Sequence, residues 1–278
     1  MTALRERLRA VVPRRIAVKR LRKHQERLRA EWGHPEMADC FIERFGDRVV
    51  RGPLVGVRVP GNLLRVADAP ALKMSGAYEH ELHGVLDGVV KRAPSMIVDI
   101  GTAEGLYAVG LARMLPGTSV IGFEIDDVLR ARAGALARAN DVAERVDLRG
   151  AVDATALRRL DLPGAFVLSD CEGHELKLFD RALISALCHA ELLIETHDTL
   201  GQTDVRDVLL RRLEVTHAVS VIELESPAPS VFPELAMIEA EVGFPVALRS
   251  RNTTQVFLHA VPRSWEGQTP QAPLEEYG

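Results

Sequence analysis

From Ser95 onward the chain alternates short apolar runs with amphipathic stretches. Residues 96–100, 119–124, 146–149, 165–170 and 190–196 are runs of four to seven positions rich in Val, Ile, Leu and Phe, the pattern of strands buried on both faces. Between them, 106–115, 127–140, 154–160 and 174–186 carry apolar residues at helical spacing. A further helix opens at 205–213, and 217–223 and 254–260 read as the last two strands. This alternation predicts an α/β fold: a doubly wound, mostly parallel seven-stranded sheet covered on both faces, with a late hairpin-like pair.

Before Ser95 the pattern is different. Residues 1–32 read as one or two amphipathic helices broken near Pro13, with Leu4, Leu8, Val11 and Val12 at helical spacing. Residues 48–60 are β-rich and punctuated by Gly52-Pro53, which predicts a hairpin. A helix is expected over 76–91, with Tyr78, Leu82, Val85 and Val89 near one face. The chain divides into an extension (1–75), an α/β domain (76–262) and a tail rich in Pro, Gln and Glu (263–278) that is expected to be flexible.

Composition changes this picture little. With 278 residues, 47% hydrophobic and 27% charged, the chain can bury one substantial core. No apolar run approaches the roughly 18–20 residues that span a bilayer. The N-terminus lacks the apolar stretch of a secretory signal, so a cytoplasmic protein is expected. Cys40, Cys171 and Cys188 lie far apart without a CxxC pair, which predicts reduced thiols. Charge is unevenly spread. Residues 1–30 hold eleven Lys/Arg against Glu6 and Glu26, a net +9, which leaves −13 on the other 248 residues. Such an arm can meet nucleic acid or an anionic surface, or pair with the acidic body of its own protein. No aromatic residue is interleaved in it to stack on bases.

The candidate chemistry begins at Ile97-Val-Asp-Ile-Gly-Thr-Ala-Glu-Gly-Leu-Tyr107. In an open α/β sheet, ligands bind beyond the carboxyl ends of the strands where the order reverses. Gly101 and Gly105 supply positions where backbone can turn sharply and approach a ligand, and a helix beginning there offers free N–H groups to an anion. A dinucleotide fingerprint starting at Gly101 would need glycine where Ala103 and Leu106 stand, so it fails. The pattern formed by Asp99, Gly101, Ala103 and Gly105 instead resembles motif I of class I methyltransferases, and Thr102 falls inside it. Glu124 closes the second strand some twenty residues on, where a carboxylate can accept the hydroxyl protons of a ribose. Asp153, past the third strand, stands where this fold often places an acid on an adenine amino group. Tyr78, before the first strand, is a further candidate cofactor contact.

From about Tyr78 to Asp198 the chain resembles the FkbM-like class of methyltransferases. The resemblance rests on Gly76-Ala-Tyr-Glu-His-Glu-Leu-His83, the loop, Phe123-Glu124, Ser169-Asp-Cys-Glu-Gly-His-Glu175 and Leu193-Ile-Glu-Thr-His-Asp198. It implies S-adenosylmethionine as cofactor and leaves the acceptor open. Asp170 and Glu172 end the fourth strand, and Glu195, His197 and Asp198 end the fifth, so these titratable groups can converge where a methyl group would be transferred. His197 is the first candidate for the base and Asp170 the next, with Glu172 beside them. A divalent metal on these carboxylates and the histidine is the competing reading, not favoured because the ligand spacing is loose. An Asn/Asp-Pro-Pro-aromatic motif is lacking, which tilts the expectation toward oxygen methylation of a small molecule or sugar. The alternatives are an RNA or protein methyltransferase that docks its substrate through residues 1–30, and an inactive cofactor-binding partner subunit.

Overall fold

The computed structural model describes residues 30–31, 33–197, 204–228, 230–243 and 256–265. Almost all of the basic segment at 1–30, Trp32, Asp198 and residues 266–278 lie outside the described residues.

The strands form where β-branched and aromatic residues run uninterrupted: β1 (Met96–Ile100), β2 (Ser119–Phe123), β3 (Val146–Arg149), β4 (Phe166–Ser169), β5 (Glu191–Thr196), β6 (His217–Glu223) and β7 (Val256–Pro262). They build one seven-stranded sheet in the order β3-β2-β1-β4-β5-β7-β6. The first five are parallel, and β7 lies antiparallel between β5 and β6. Winding runs outward from β1 to β3, then returns across β1 to β4. The crevice between the carboxyl ends of β1 and β4 is therefore the switch point of the sheet.

Among the described residues the helices are α1 (His34–Phe45), α2 (Gly61–Leu64), α3 (Pro70–Ser75), α4 (His83–Arg92), α5 (Leu106–Met114), α6 (Asp127–Ala139), α7 (Ala154–Leu157), α8 (Glu175–Leu178), α9 (Arg181–Ala186), α10 (Val205–Leu213) and α11 (Pro233–Val242). Ile97 and Val98 alternate across β1 into separate apolar layers. One layer joins Val109 and Leu111 of α5 and Leu136 of α6 to Phe41, Val57, Leu72 and Met74, so residues 34–75 share a core with the sheet. The other holds Leu178, Leu183, Ile184 and Leu209 against Val167 and Ile194.

Three expectations need correction. The stretch 48–60 holds one antiparallel bridge, Arg48 to Arg58, rather than a hairpin of strands. Its backbone is committed elsewhere: the Asn140 side chain accepts from Arg58 N and donates to Arg58 O, both at 2.8 Å, and Val50 N donates to Met74 O. The helix expected over 76–91 starts only at His83, after a 3-10 turn at His80–Leu82. Gly76 closes α3 with φ 78, and Glu79 has φ 51, so the chain turns twice before α4. Tyr78 and Glu79 thus belong to a turn. The helix expected over 174–186 is two, divided where Asp180 caps α9 by accepting from Leu183 N at 2.7 Å.

Candidate active site

The loop after β1 is folded over the end of β2. Gly101 N and Thr102 N both donate to Phe123 O, at 2.8 and 3.1 Å. Thr102 turns its hydroxyl inward to Asp99 O at 2.9 Å, so it locks the turn. Three residues take positive φ: Gly101 (86), Ala103 (47) and Gly105 (93). A Cβ on Gly101 would overlap the carbonyl oxygen of Asp170, and one on Gly105 would press on Ala133. The glycines are therefore required by close packing as well as by conformation. Asp99 lies fully buried beneath the loop, its carboxyl pushed up to about 7 by burial and by Asp170.

Glu124, just past β2, reaches back to this loop. Its Oε2 accepts from Ala103 N at 2.9 Å and its Oε1 from Asp126 N at 2.7 Å. Burial pushes the carboxyl above its ordinary value despite those hydrogen bonds. Beside it Ile125 is 67% exposed, an apolar side chain that the sequence reading passed over. Asp153 is exposed and caps α7, with Oδ1 accepting from Ala156 N at 2.8 Å. Tyr78 is half-buried against the core, with Lys73 Nζ 5.2 Å from its ring centre. Lys73 also pairs at 3.0 Å with Glu104 of the loop.

The ends of β4 and β5 bring the acids and the histidine together. His197 Nδ1 lies 2.6 Å from Oε1 of the buried Glu175. Its Nε2 faces Asp170 Oδ1 at 3.5 Å and Glu172 and Glu195 at 3.8 Å each. The His197 side chain is 11% exposed and Glu172 81%, so the cluster is buried on one side and open on the other. Burial alone would lower the imidazole. The hydrogen bond to Glu175 and the charges of Asp170, Glu175 and Glu172 outweigh it and hold His197 above its ordinary value. Asp170 and Glu195 are both raised, by burial first and then by neighbouring carboxylates, with Glu79 acting on each. Like charges so close cannot both ionise, and the pair shares a proton. Glu172 has φ 52, a strained conformation for a glutamate.

The structure thus assembles Asp170, Glu172 and His197 in one place, and the loop with Glu124 in another beside it. Glu79, Glu175, Glu195 and Tyr107 join them. Tyr107, on the first turn of α5, donates its hydroxyl to Glu79 Oε2 at 2.5 Å. Glu195 is among the groups the sequence places at the end of β5, and Glu175 stands in the motif at the end of β4, a signal that could have shown it. Donor atoms of Asp170, Glu172 and His197 lie within 4.8 Å of one another, so this trio could also hold a metal ion. The thiol of Cys171 is pushed up to about 12 by burial and by Glu175, which excludes it as a nucleophile near neutrality. No helix among the described residues is long and apolar enough to cross a membrane.

No family model and no curated protein matches the chain. Solved structures similar to it include a Clostridium thermocellum protein described as an rRNA methylase without assigned proof of activity (12% identity over 66% of this chain and 95% of that one, TM-score 0.46). The METTL16 methyltransferase domain is 15% identical over 81% and 77%, with a TM-score of 0.45. Precorrin-6y C5,15-methyltransferase of Geobacter metallireducens is 13% identical over 65% and 88%, with a TM-score of 0.43. At this distance they add nothing to what the strand order establishes about the fold.

Proposed function

We propose that the protein moves a methyl group from S-adenosylmethionine to a hydroxyl of a small molecule or sugar. One observation carries this reading: the Gly101 backbone packs directly on the carbonyl of Asp170, so the cofactor loop and the acid–histidine cluster are built against each other. The loop fits the cofactor. Its glycines hold a tight backbone turn at the switch point, the Glu124 carboxylate is the acceptor for a ribose diol, and the start of α5 offers N–H groups to a carboxylate. When bound, S-adenosylmethionine supplies a methyl group on a sulfonium, which passes to the acceptor oxygen while sulfur keeps the electron pair.

His197 takes the acceptor's proton at Nε2, while Glu175 fixes the ring through Nδ1 and stabilises the imidazolium that results. The hydrogen bond to Glu175 and the neighbouring carboxylates raise the affinity of this imidazole for a proton. Glu172 and the single charge left on the Asp170–Glu195 pair make this side of the site electronegative, which favours a bound sulfonium cation.

The test is label transfer. Full-length protein with methyl-labelled S-adenosylmethionine is offered a small-molecule extract, RNA and protein separately. Label should enter the small-molecule fraction in alkali-stable form, as an ether does and an ester does not. His197→Ala should lower the rate by about 10²–10⁴. Label in RNA or protein would overturn the acceptor class and favour docking through residues 1–30, and no label in any fraction would favour an inactive partner subunit. Loss of label with a chelator, restored by Mg²⁺, would give Asp170, Glu172 and His197 to a cation instead.

A further inference from the structure

Given the cofactor proposed above, we infer that Glu79 is the residue that holds the ammonium of its amino-acid end, with the Tyr107 hydroxyl setting the carboxylate in place.

The shape of the ligand limits where its ammonium can lie. A ribose on Glu124 fixes one end of the cofactor on the β2 side of the loop. At the other end, the carboxylate and the ammonium share one carbon, so the ammonium lies within a few ångströms of whatever binds the carboxylate. In the function proposed above, that carboxylate lies on the N–H groups at the start of α5, of which Ala108 N is already given to Asp99. The ammonium partner must therefore stand near the first turn of α5. Tyr107 is the second residue of that helix, and its hydroxyl lies 2.5 Å from Glu79 Oε2. Glu79 is 6% exposed and is held in a left-handed conformation, φ 51, by the turn between α3 and α4. It also lies near enough to Asp170 and Glu195 for its charge to act on both. Its carboxylate thus lies between the cofactor loop and the transfer site, where the amino-acid end has to pass.

Other acids are less suited. Asp99 lies under the loop, takes a hydrogen bond from Ala108 N, and has its charge opposed by burial. Asp170 faces His197 Nε2 at 3.5 Å, on the side of the base. A carboxylate oriented by a phenol and facing an ammonium gains a charge-assisted hydrogen bond in a low-dielectric site. Removing its charge should cost a charged ligand and spare an uncharged one.

The experiment compares two ligands of the full-length protein by calorimetry. S-adenosylhomocysteine carries the ammonium, and 5′-methylthioadenosine has the same nucleoside and sulfur without the amino-acid end. Glu79→Gln should weaken S-adenosylhomocysteine at least tenfold and leave methylthioadenosine within twofold of wild type. Tyr107→Phe, which removes only the orienting hydroxyl, should weaken the first about threefold and not the second. Equal loss of both ligands in both variants would make Glu79 merely structural and overturn the assignment, as would unchanged S-adenosylhomocysteine binding in Glu79→Gln. A tenfold selective loss in Asp170→Asn and none in Glu79→Gln would move the ammonium to Asp170. If the wild type binds methylthioadenosine but gains nothing from the amino-acid end, this inference falls while the nucleoside site stands. If it binds neither, both fall.

Discussion

At Gly101 a φ of 86° coincides with a backbone contact that no side chain could share, since a Cβ there would overlap the carbonyl of Asp170. An alanine must carry left-handed strain of about 1–2 kcal/mol and also push the end of β4 aside. Gly101→Ala should therefore lower stability by about 2–4 kcal/mol and weaken S-adenosylhomocysteine more than tenfold, read by thermal melting and calorimetry. Wild-type values for both would mean that the loop and the cluster are not built against each other. Gly101, Gly105 and Glu124 were readable from sequence because a glycine turn after a strand, and an acid closing the next one, are local features. The partnerships were harder to read. Glu175 meets His197 across 22 residues and Tyr107 meets Glu79 across 28, and neither contact leaves a trace in spacing. Thr102 and Asp153 were candidates by position alone, and the structure engages both in a turn and a helix cap.

Elements place the titrating groups, and their strand ends set how stability depends on pH. Asp99, Asp170 and Glu195 are raised, so the folded chain keeps protons that the unfolded chain releases above about pH 4. Their contribution to stability is lost as pH rises. His197, also raised, acts in the same sense as pH climbs through its folded value. Burial depresses His83, His217 and His259, the last to about 4 in the folded chain, and their contribution is lost as pH falls below about 6.5. Above about pH 7.5 the depressed histidines no longer contribute, so the ligand-free protein should melt at a lower temperature at pH 8.5 than at pH 7.5. Glu195→Gln should flatten that decline. A melting temperature that rises over this range would contradict the buried, proton-sharing cluster. The strands and the helices between them were legible because their apolar runs are short and regular. The turn before α4 was not, because its apolar residues continue at helical spacing through two left-handed residues, Gly76 and Glu79.

For the whole molecule, the strand order puts two separate pieces of chemistry at one crevice. The loop after β1 and Glu124 after β2 lie on one side, and the acids and His197 after β4 and β5 on the other. The sequence showed this because alternating strands and helices wind from the centre outward, which makes the ends of the first and fourth strands neighbours. It did not show that residues 34–75 pack into the same core, with Phe41, Val57 and Leu72 beside Leu111 and Phe166. Those contacts span long sequence separations, and α2 and α3 are too short to show a period, although α1 does bury Met37, Cys40 and Phe41 at helical spacing. The proposed function requires that the loop and Glu124 form a site for the cofactor's nucleoside and amino-acid parts. Calorimetric titration of the full-length protein with S-adenosylhomocysteine tests it most directly. Wild type should bind with one site per chain, and Glu124→Ala should lose about 1–3 kcal/mol of binding free energy, the worth of hydrogen bonds to a charged group. No detectable binding by folded wild-type protein, or equal binding by Glu124→Ala, would contradict the account.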